Sequence, residues 1–208
     1  MRYLIVCGGK IDKEFGLNEI KTDGIDAIIA ADSGMDFLYE NGVTPDIIVG
    51  DFDSTTTNAL EYFERKGQTE IRRLNPIKDD TDTEYAIRLA ISEGARSIVL
   101  LGATGSRIDH VLGNISLLGI GLESGTDISI IDTNNRIRMA DKPVTIEKSA
   151  QYGRFVSLIA LTDDNEVSLK GFKYPVTDYS FDRFTSLGIS NEIVDDHALI
   201  DIHRGKFI

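Results

Sequence analysis

Apolar and polar positions alternate in blocks along the first part of the chain, where short β-branched runs are followed by segments with helical spacing. The runs predict buried strands at residues 2–6, 26–30, 47–49, 70–74, 97–101 and 127–132. Helices are predicted at residues 35–40, 55–66, 82–93 and 111–118, with Ser54 or Thr55 capping the second of them. This alternation predicts a mostly parallel sheet with helices on both faces.

The pattern changes after about residue 132, where short β-like runs follow one another closely and no helical period competes with them. These runs cover residues 144–146, 154–160, 166–170, 191–194 and 198–202. Such spacing is typical of an antiparallel sandwich or barrel. The sequence therefore predicts an α/β domain at residues 1–132 and a small antiparallel β-sandwich domain at residues 133–208.

Composition narrows the class of protein further. The chain has 208 residues, of which 41% are hydrophobic and 27% charged, as is usual for a soluble globular protein. Its one cysteine, Cys7, excludes an internal disulfide and a multi-cysteine zinc site. No apolar run is long enough to span a membrane, and the apolar start of the chain is too short for a signal peptide. We therefore expect a cytoplasmic protein without a membrane partner.

The formal net charge of -12 bears on which ligands the chain can bind. Binding to a nucleic-acid backbone needs clustered lysine and arginine, so a nucleic-acid partner is not expected. A bound polyphosphate would meet acidic loops, and metal ions would have to offset the repulsion between the two anions. An acidic site that also holds Mg²⁺ is consistent with this charge.

Aspartates follow several of the predicted strands. Asp32 comes after the second strand, Asp51 and Asp53 come after the third, and Asp82 begins a helix. Ligands bind at the carboxyl ends of strands in open α/β sheets, so these carboxylates can line one site and share a hard cation. Alternatively, they are solvated turn residues, or they stabilise helix N-termini.

A loop with two glycines follows the clearest strand, residues 97–101. Gly102 and Gly105 let the backbone approach a phosphate closely, and Arg107 offers a planar fork for two phosphate oxygens. The loop is neither a Walker A sequence nor a Rossmann fingerprint. His110, in the first turn of the next helix, is equally consistent with a surface position.

Four segments together resemble the thiamine pyrophosphokinase family, over nearly the whole chain. They are residues 50–54 (Gly-Asp-Phe-Asp-Ser), residues 78–82 (Lys-Asp-Asp-Thr-Asp), residues 102–110 with Asn114, and residues 190–192 (Ser-Asn-Glu). The resemblance implies an N-terminal α/β catalytic domain and a C-terminal β-sandwich. It also implies transfer of the terminal pyrophosphoryl group of ATP to the hydroxyl of thiamine, giving thiamine diphosphate and AMP. It further implies a homodimer with the thiamine pocket between its subunits.

The resemblance further implies roles for the matching acids. Asp51, Asp53 and Asp82 would hold Mg²⁺ on the ATP phosphates, with Asp109 as a fourth candidate, and these four form the expected catalytic set. Either Asp82 or Asp51 would orient the thiamine hydroxyl. Because the transition state of phosphoryl transfer is loose, the protein is expected to act mainly by positioning and charge stabilisation.

The remaining matches divide between the two substrates. The expected ATP contacts combine cations, glycines and acids: Lys78, Arg107, Gly102, Gly105, Asp32 and Asp109. The expected thiamine contacts are Thr81, Asp82, Ser190 and Asn191, the last two from the β domain across the dimer. Some family members stack tryptophan on thiamine, but this chain has none. Phe181, Phe184 or Tyr179 can substitute, or they belong to the core or interface of the sandwich.

Two other functions fit the same residues. One is a different Mg-ATP-dependent kinase of a small alcohol, and the other is a non-catalytic nucleotide sensor with the β domain as its output module. The convergence of four acids with an arginine argues against the sensor, which has no need of them. The nucleotide product separates the three hypotheses, since AMP marks pyrophosphoryl transfer, ADP an ordinary kinase, and neither a sensor.

Overall fold

The computed structural model describes residues 1–52, 58–75, 80–105 and 107–208. The chain divides into two compact units, Met1–Arg136 and Ile137–Ile208. The first unit carries the parallel sheet, and the second carries a smaller antiparallel sheet with its own core. The predicted fold class is therefore confirmed.

The larger sheet has seven strands and is flanked by five helices in the described part of the chain. The strands are β1 (Arg2–Val6), β2 (Ala27–Ala31), β3 (Ile47–Gly50), β4 (Glu70–Arg73), β5 (Ser97–Leu101), β6 (Asp127–Ile131) and β7 (Arg136–Arg138). The helices are α1 (Lys13–Ile20), α2 (Gly34–Glu40), α3 (Ala59–Lys66), α4 (Asp82–Ser92) and α5 (Ile108–Ser124). The strand order is β4-β3-β2-β1-β5-β6-β7.

The order of the strands reverses beside β1. From β1 the chain builds outward through β2 and β3 to β4, and β5 then returns to pair with the free side of β1. The pairings from β4 through to β6 are parallel, so the carboxyl ends of these strands lie at one edge. A reversal of this kind is a topological switch point, the usual ligand site of an open α/β sheet.

The centre of the sheet is buried on both faces. Leu4, Ile5 and Val6 are consecutive in β1 and are at most 1% exposed. Because successive side chains of a strand point to opposite faces, both faces must be covered. The apolar runs that predict the strands therefore form the core of the first unit.

The second unit contains a four-stranded antiparallel sheet. Its strands are β8 (Val144–Glu147), β9 (Glu166–Lys170), β10 (Val176–Ser180) and β11 (His197–Arg204), in the order β10-β9-β11-β8, and a 3₁₀ turn (Lys148–Ala150) follows β8. The pairings of β9 with β10 and of β11 with β8 and β9 are antiparallel. Val167, Leu169, Phe181 and Phe207 belong to the buried cluster beneath this sheet.

Two of the predicted β runs of the second unit form isolated bridges rather than regular strands. Residues 154–160 and 191–194 meet at the Val156–Asn191 bridge, and Ala160 pairs with Phe207. The sequence pattern does not predict β10, because four of its five residues are exposed and no apolar alternation marks it. A register shift between Val176 and Tyr179, with Asp178 at φ 45°, interrupts its pairing with β9.

The helices of the first unit also differ from the prediction at several ends. The pattern does not predict α1, which Asp12 caps by accepting a hydrogen bond from the Phe15 amide at 2.9 Å. Helix α5 continues past residue 118 and ends where Gly125 adopts φ 72°. Helix α3 begins at Ala59 in the described residues, and the predicted caps at residues 54 and 55 lie outside them. None of the described helices is both long enough and apolar enough to cross a membrane.

Replacing Phe63 with alanine should destabilise the first unit strongly. Phe63 is fully buried on α3 and packs edge-on against the rings of Tyr62 and Tyr39, at centroid distances of 5.2 and 6.4 Å. We expect Phe63→Ala to lower the free energy of unfolding by about 3–5 kcal/mol, the cost of an unfilled aromatic site. Urea denaturation followed by circular dichroism measures this.

Tyr62→Ala is the matched control, because Tyr62 belongs to the same ring cluster but is 37% exposed. We expect it to cost about 1 kcal/mol, the value of a lost ring pair at the surface. Equal losses for the two variants would show that burial of Phe63 is not what stabilises this side of the sheet.

Candidate functional site

A cavity of about 480 Å³ opens at the carboxyl edge of the parallel sheet, where the ends of β1, β2, β3 and β5 meet. We call it the acidic cavity. The predicted site residues that line it are Asp32, Asp51, Thr81, Asp82, Gly102, Gly105 and Arg107. The fold therefore brings together predicted site residues that are up to 75 positions apart in sequence, from Asp32 to Arg107.

Three carboxylates converge in the acidic cavity. Asp32, Asp51 and Asp82 each offer one oxygen, and these oxygens lie within 4.8 Å of one another. All three residues are half-buried. Oxygen atoms this close can bind one cation together. Within the described ranges, this is the group of acids whose geometry suits a shared ion.

Backbone contacts position these acids. The amide of Asp32, directly after β2, donates to the carbonyl of Val49 in β3 at 2.7 Å, which ties the two strand ends together. Asp32 itself has φ 48°, a left-handed conformation that aspartate tolerates better than most residues. A Cβ atom at Gly34 would lie 1.9 Å from the Val6 carbonyl oxygen, so glycine lets α2 begin against the end of β1.

Thr81 serves as the N-cap of α4. Its Oγ1 accepts a hydrogen bond from the Glu84 amide at 3.2 Å, and Asp82 is the first residue of the helix. The cap fixes the start of α4 and with it the position of the Asp82 carboxylate. Thr81, which the sequence analysis predicts as a thiamine contact, thus also has a structural role as a helix cap.

The loops after β1 and β5 touch through their backbones. The Gly9 amide donates to the Gly102 carbonyl at 3.0 Å, and a Cβ atom at Gly9 would lie 2.3 Å from that oxygen. A Cβ atom at Gly105 would lie 2.9 Å from the Gly9 Cα. We call Gly9, Gly102 and Gly105 the glycine ridge. Asn114 anchors the second loop to α5, because its Nδ2 donates to the Ala103 carbonyl at 2.9 Å.

Arg107 and Asp109 form an exposed ion pair at the start of α5. The Arg107 Nη2 donates to Asp109 Oδ2 at 2.7 Å, with about two thirds of each side chain exposed. This hydrogen bond lowers the pKa of the Asp109 carboxyl and raises that of the guanidinium. Arg107 lines the acidic cavity, whereas Asp109 lies outside the converging group of acids.

Two predicted site residues, Asp53 and Lys78, lie outside the described residues. Their expected roles in metal and ATP binding stay predictions. Asp53 is two positions from Asp51, and Lys78 is three positions before Thr81.

The predicted thiamine contacts of the second unit differ in exposure. Ser190 is exposed with φ 62°, and its amide donates to Ser157 Oγ at 3.0 Å. Asn191 is 7% exposed, and its side-chain amide accepts from the Tyr174 amide and donates to the Tyr174 carbonyl, at 3.1 and 2.9 Å. Asn191 therefore holds two segments of this unit together.

The three aromatic candidates for stacking also occupy different environments. Phe181 is 4% exposed and packs edge-on against Phe207 in the core of the second unit. Tyr179 is 40% exposed and Phe184 is 89% exposed. Only the latter two present ring surface to a ligand or a partner.

Cys7 is a lining residue of the acidic cavity that the sequence does not single out as a site residue. Its thiol is 3% exposed and accepts a hydrogen bond from Thr83 Oγ1, at 3.7 Å. Burial raises the pKa of the thiol to about 11, and the hydrogen bond offsets only part of that effect. The thiol is therefore neutral at physiological pH.

The place of Asp32 in the acid cluster is also more central than the sequence predicts. The prediction assigns Asp32 to the ATP contacts and not to the metal set, whereas the structure groups it with Asp51 and Asp82. The sequence pattern around Asp32 is the same as that around Asp51, since each residue directly follows a buried strand. Asp32 and Asp51 are neighbours because β2 pairs with β3, and this pairing cannot be read from the sequence.

The fold and the site together define a class of protein with two parts. One is an α/β unit that gathers three carboxylates beside a glycine ridge at its switch point, and the other is an antiparallel β unit. Residues 21–130 match the family model described as thiamin pyrophosphokinase, catalytic domain, and residues 143–206 match that of its vitamin B1 binding domain. The chain belongs to the thiamin pyrophosphokinase family. The predicted family and enzyme class, a thiamine diphosphokinase, are confirmed.

Individual relatives are similar to this chain in sequence and in structure over most of its length. Thiamine pyrophosphokinase of Bacillus subtilis (strain 168) is 34% identical over 182 residues, which covers 86% of this chain and 84% of the relative. A crystal structure of the Bacillus subtilis enzyme has a TM-score of 0.87 at 30% identity and covers 100% of this chain and 96% of its own. The structure of thiamin pyrophosphokinase from Geobacillus thermodenitrificans has a TM-score of 0.86 at 30% identity, covering 100% and 95%.

Cys7 should be almost unreactive in the folded protein. With its pKa raised to about 11, only a minor fraction is thiolate at pH 8, and the thiolate is the nucleophile. We expect iodoacetamide to label native Cys7 at least about a hundredfold more slowly than glutathione at pH 8, and labelling to accelerate as the pH rises toward 11. Mass spectrometry of timed samples measures the rate.

Protein unfolded in urea is the control for this experiment, and its cysteine should react at the rate of a free thiol. If native and unfolded protein were labelled equally fast at pH 8, the thiol would be neither buried nor protonated as the structure indicates.

Proposed function

We propose that this chain transfers the pyrophosphoryl group of ATP to the hydroxyl of thiamine, giving thiamine diphosphate and AMP. The observation that carries the proposal is the convergence of Asp32, Asp51 and Asp82 at the switch point of the unit that matches the family's catalytic domain. In a chain with a net charge of -12, a polyphosphate is accepted at such a site only with cations to offset the repulsion.

Magnesium is the ion that this set of donors fits. The three ligand atoms are all carboxylate oxygens, the hard donors that Mg²⁺ prefers, and neither cysteine nor histidine is among them. Asp32, Asp51 and Asp82 would hold the ion, with Asp53 as a further candidate two residues after Asp51. When bound, the ion supplies charge neutralisation for the phosphate oxygens.

The group transfer itself needs little from the side chains beyond positioning. The thiamine hydroxyl oxygen forms a bond to the β-phosphorus of ATP while the bond between the β-phosphorus and the bridging oxygen of AMP breaks, with its electron pair going to AMP. Asp51 or Asp82 would orient the hydroxyl by accepting its hydrogen bond, and that carboxylate or solvent receives the proton. Because the transition state is loose, proton removal can be late.

Arg107 is the cation best placed to bind phosphate. It lines the acidic cavity, and its pairing with Asp109 is largely exposed. Exposed ion pairs contribute little stability, so the guanidinium can exchange Asp109 for a phosphate at small cost. Asp109 then fits a role in orienting Arg107 better than the predicted role of metal ligand. Lys78 remains a second phosphate-binding candidate.

Thiamine would be recognised from the second unit, which matches the vitamin B1 binding domain. Ser190 is exposed and suits direct contact, whereas Asn191 would support the segment that carries it. Phe184, 89% exposed, and Tyr179 are the candidates for stacking on the pyrimidine. Phe181 is buried and fits a core role.

A homodimer is the assembly that the surface of the second unit favours. Large apolar side chains of this unit are exposed at Phe155, Ile159, Tyr174, Phe184, Leu187 and Val194. A small domain with so many exposed apolar side chains is typical of a protein with an interface. We propose that a second copy of the chain covers part of this surface.

The cellular location is a separate proposal. The single cysteine of the chain favours a reducing compartment, so we propose that the protein is in the cytoplasm.

Incubation of the purified chain with ATP, MgCl₂ and thiamine tests the reaction. We expect AMP and thiamine diphosphate to appear in equal amounts, and neither to form when EDTA is in excess. Chromatographic separation of the nucleotides measures both products. ADP in place of AMP would replace the proposed reaction with ordinary kinase chemistry, and bound ATP without turnover would favour the nucleotide sensor.

Substitution of the converging acids tests the proposed metal site. We expect Asp51→Asn and Asp32→Asn to lower turnover by at least about a hundredfold, because the loss of one ligand weakens charge stabilisation at the phosphates. They should also weaken Mn²⁺ binding by at least about tenfold, measured by the signal of free Mn²⁺ in electron paramagnetic resonance. Circular dichroism should show that both variants keep the fold.

Asp109→Asn is the matched control, since it removes the same charge from the same edge of the sheet. We expect it to leave Mn²⁺ affinity within about twofold, because Asp109 lies outside the converging group of acids. Near-normal turnover in Asp51→Asn, or loss of Mn²⁺ binding in Asp109→Asn alone, would refute this metal assignment.

A further inference from the structure

Glu192 ends the Ser-Asn-Glu motif at residues 190–192, and the proposed function leaves it without a role. Its side chain is 23% exposed, and its carboxylate accepts hydrogen bonds from two cations of the second unit. Arg154 Nε donates to Oε2 at 3.1 Å, and Lys173 Nζ donates to Oε1 at 2.9 Å. Each carboxylate oxygen therefore has its own cationic partner.

The two cations lie on segments that flank the motif. On one side, Val156 and Asn191 exchange both of their amide-to-carbonyl hydrogen bonds, each at 2.9 Å. On the other side, the Lys173 amide donates to the Glu192 carbonyl at 2.8 Å. Arg154 lies two residues before Val156 in the chain. The Glu192 carboxylate therefore links the same two segments that the backbone of the motif already joins.

The backbone of the motif needs such support at Ser190. This residue adopts φ 62°, a left-handed conformation that is unfavourable for serine. Its amide donates to Ser157 Oγ at 3.0 Å, and the residue is exposed. A residue keeps an unfavourable conformation only where the surrounding structure holds it. The position of the Ser190 hydroxyl therefore depends on how firmly residues 190–192 are held.

Electrostatics favours a charged Glu192 between its partners. The hydrogen bonds from Lys173 and Arg154 lower the pKa of its carboxyl, and Glu192 in turn raises the pKa of Lys173. Arg154 Cζ also lies 5.0 Å from the ring centroid of Phe155, and Lys173 Nζ lies 5.6 Å from that of Tyr174. One exposed ion pair contributes little, whereas a carboxylate shared by two cations fixes several side chains at once. Glu192 is thus the group that both cation–ring arrangements share.

We propose that Glu192 is a positioning residue for thiamine binding, which acts through Arg154 and Lys173 to hold the segment that presents Ser190 to thiamine. This inference rests on the proposed function, because it takes thiamine as the ligand of Ser190. All of these residues lie within residues 143–206, which match the vitamin B1 binding domain. Glu192 does not touch thiamine. Its loss should therefore weaken thiamine binding and leave the transfer step unchanged.

Three variants separate positioning from direct contact. Glu192→Gln keeps the shape of the side chain and removes its charge. The double variant Arg154→Gln/Lys173→Gln removes both partners and leaves Glu192 in place. Glu166→Gln is the matched control, because the Glu166 side chain belongs to the same unit, is 24% exposed and accepts a hydrogen bond from Arg204 Nη2 at 2.7 Å.

Steady-state kinetics of the full chain with ATP, MgCl₂ and varied thiamine measures the effect. We expect Glu192→Gln to raise the KM for thiamine by about fivefold, a change that two partly exposed ion pairs can supply. The kcat and the KM for ATP should stay within about twofold, because no group at the phosphates changes. The double variant should raise the KM for thiamine by the same factor. Adding Glu192→Gln to it should have no further effect, since the link is already broken. Glu166→Gln should behave like the unaltered chain.

Three outcomes would overturn the proposal. An unchanged KM for thiamine in Glu192→Gln would show that the ion pairs do not position the motif. An equal rise in Glu166→Gln would assign the effect to loss of any ion pair in this unit. A higher KM in the triple variant than in the double variant would mean that Glu192 contacts the cationic thiazolium ring of thiamine directly.

Amide hydrogen exchange distinguishes failure of this inference from failure of the proposed function, because it needs no thiamine. We expect the amides of Val156, Lys173 and Asn191 to exchange at least about threefold faster in Glu192→Gln, and at the unaltered rate in Glu166→Gln. Unchanged exchange in Glu192→Gln would overturn the positioning role even if the chain does not convert thiamine. Faster exchange in a chain without thiamine turnover would support the positioning of the motif and refute the proposed reaction.

Discussion

The parallel pairing of β1 with both β2 and β5 is the constraint on which the rest of the site depends. It brings the ends of these strands to one edge, and the ladder between β1 and β5 continues into the loops. The Cys7 amide donates to Leu101 at 2.8 Å, and the Gly9 amide donates to Gly102 at 3.0 Å. Such close backbone approach excludes a side chain at Gly9. This contact forms the glycine ridge that borders the acidic cavity.

Electrostatics explains why the acidic side of the ridge is suited to a metal-bound polyphosphate. Three half-buried carboxylates within 4.8 Å repel one another, and folding holds them there through backbone contacts such as that between Asp32 and Val49. A cation relieves this repulsion and at the same time attracts phosphate. The cost of assembling like charges is thus coupled to binding, and in our proposal that coupling makes ATP binding depend on Mg²⁺.

The strands that form the core could be predicted because burial on both faces leaves a continuous apolar run, as at residues 97–101. Some elements without a continuous apolar run were not predicted. Helix α1 carries few apolar positions and depends on the Asp12 cap, and β10 is mostly exposed with a break in its register. Residues 154–160 have a strand-like pattern but form only isolated bridges, since β propensity does not determine which segment finds a continuous partner.

The sequence by itself determined the two kinds of unit, the family, and the acids at the ends of strands. Apolar periodicity and local motifs depend only on residues that are close together in the sequence. Only the tertiary structure decided which acids meet. Asp32 joins Asp51 because β2 pairs with β3, and Asp109 stays apart because it pairs locally with Arg107. The adjacency of β2 and β3 arises from strand order, a long-range property that no local pattern encodes.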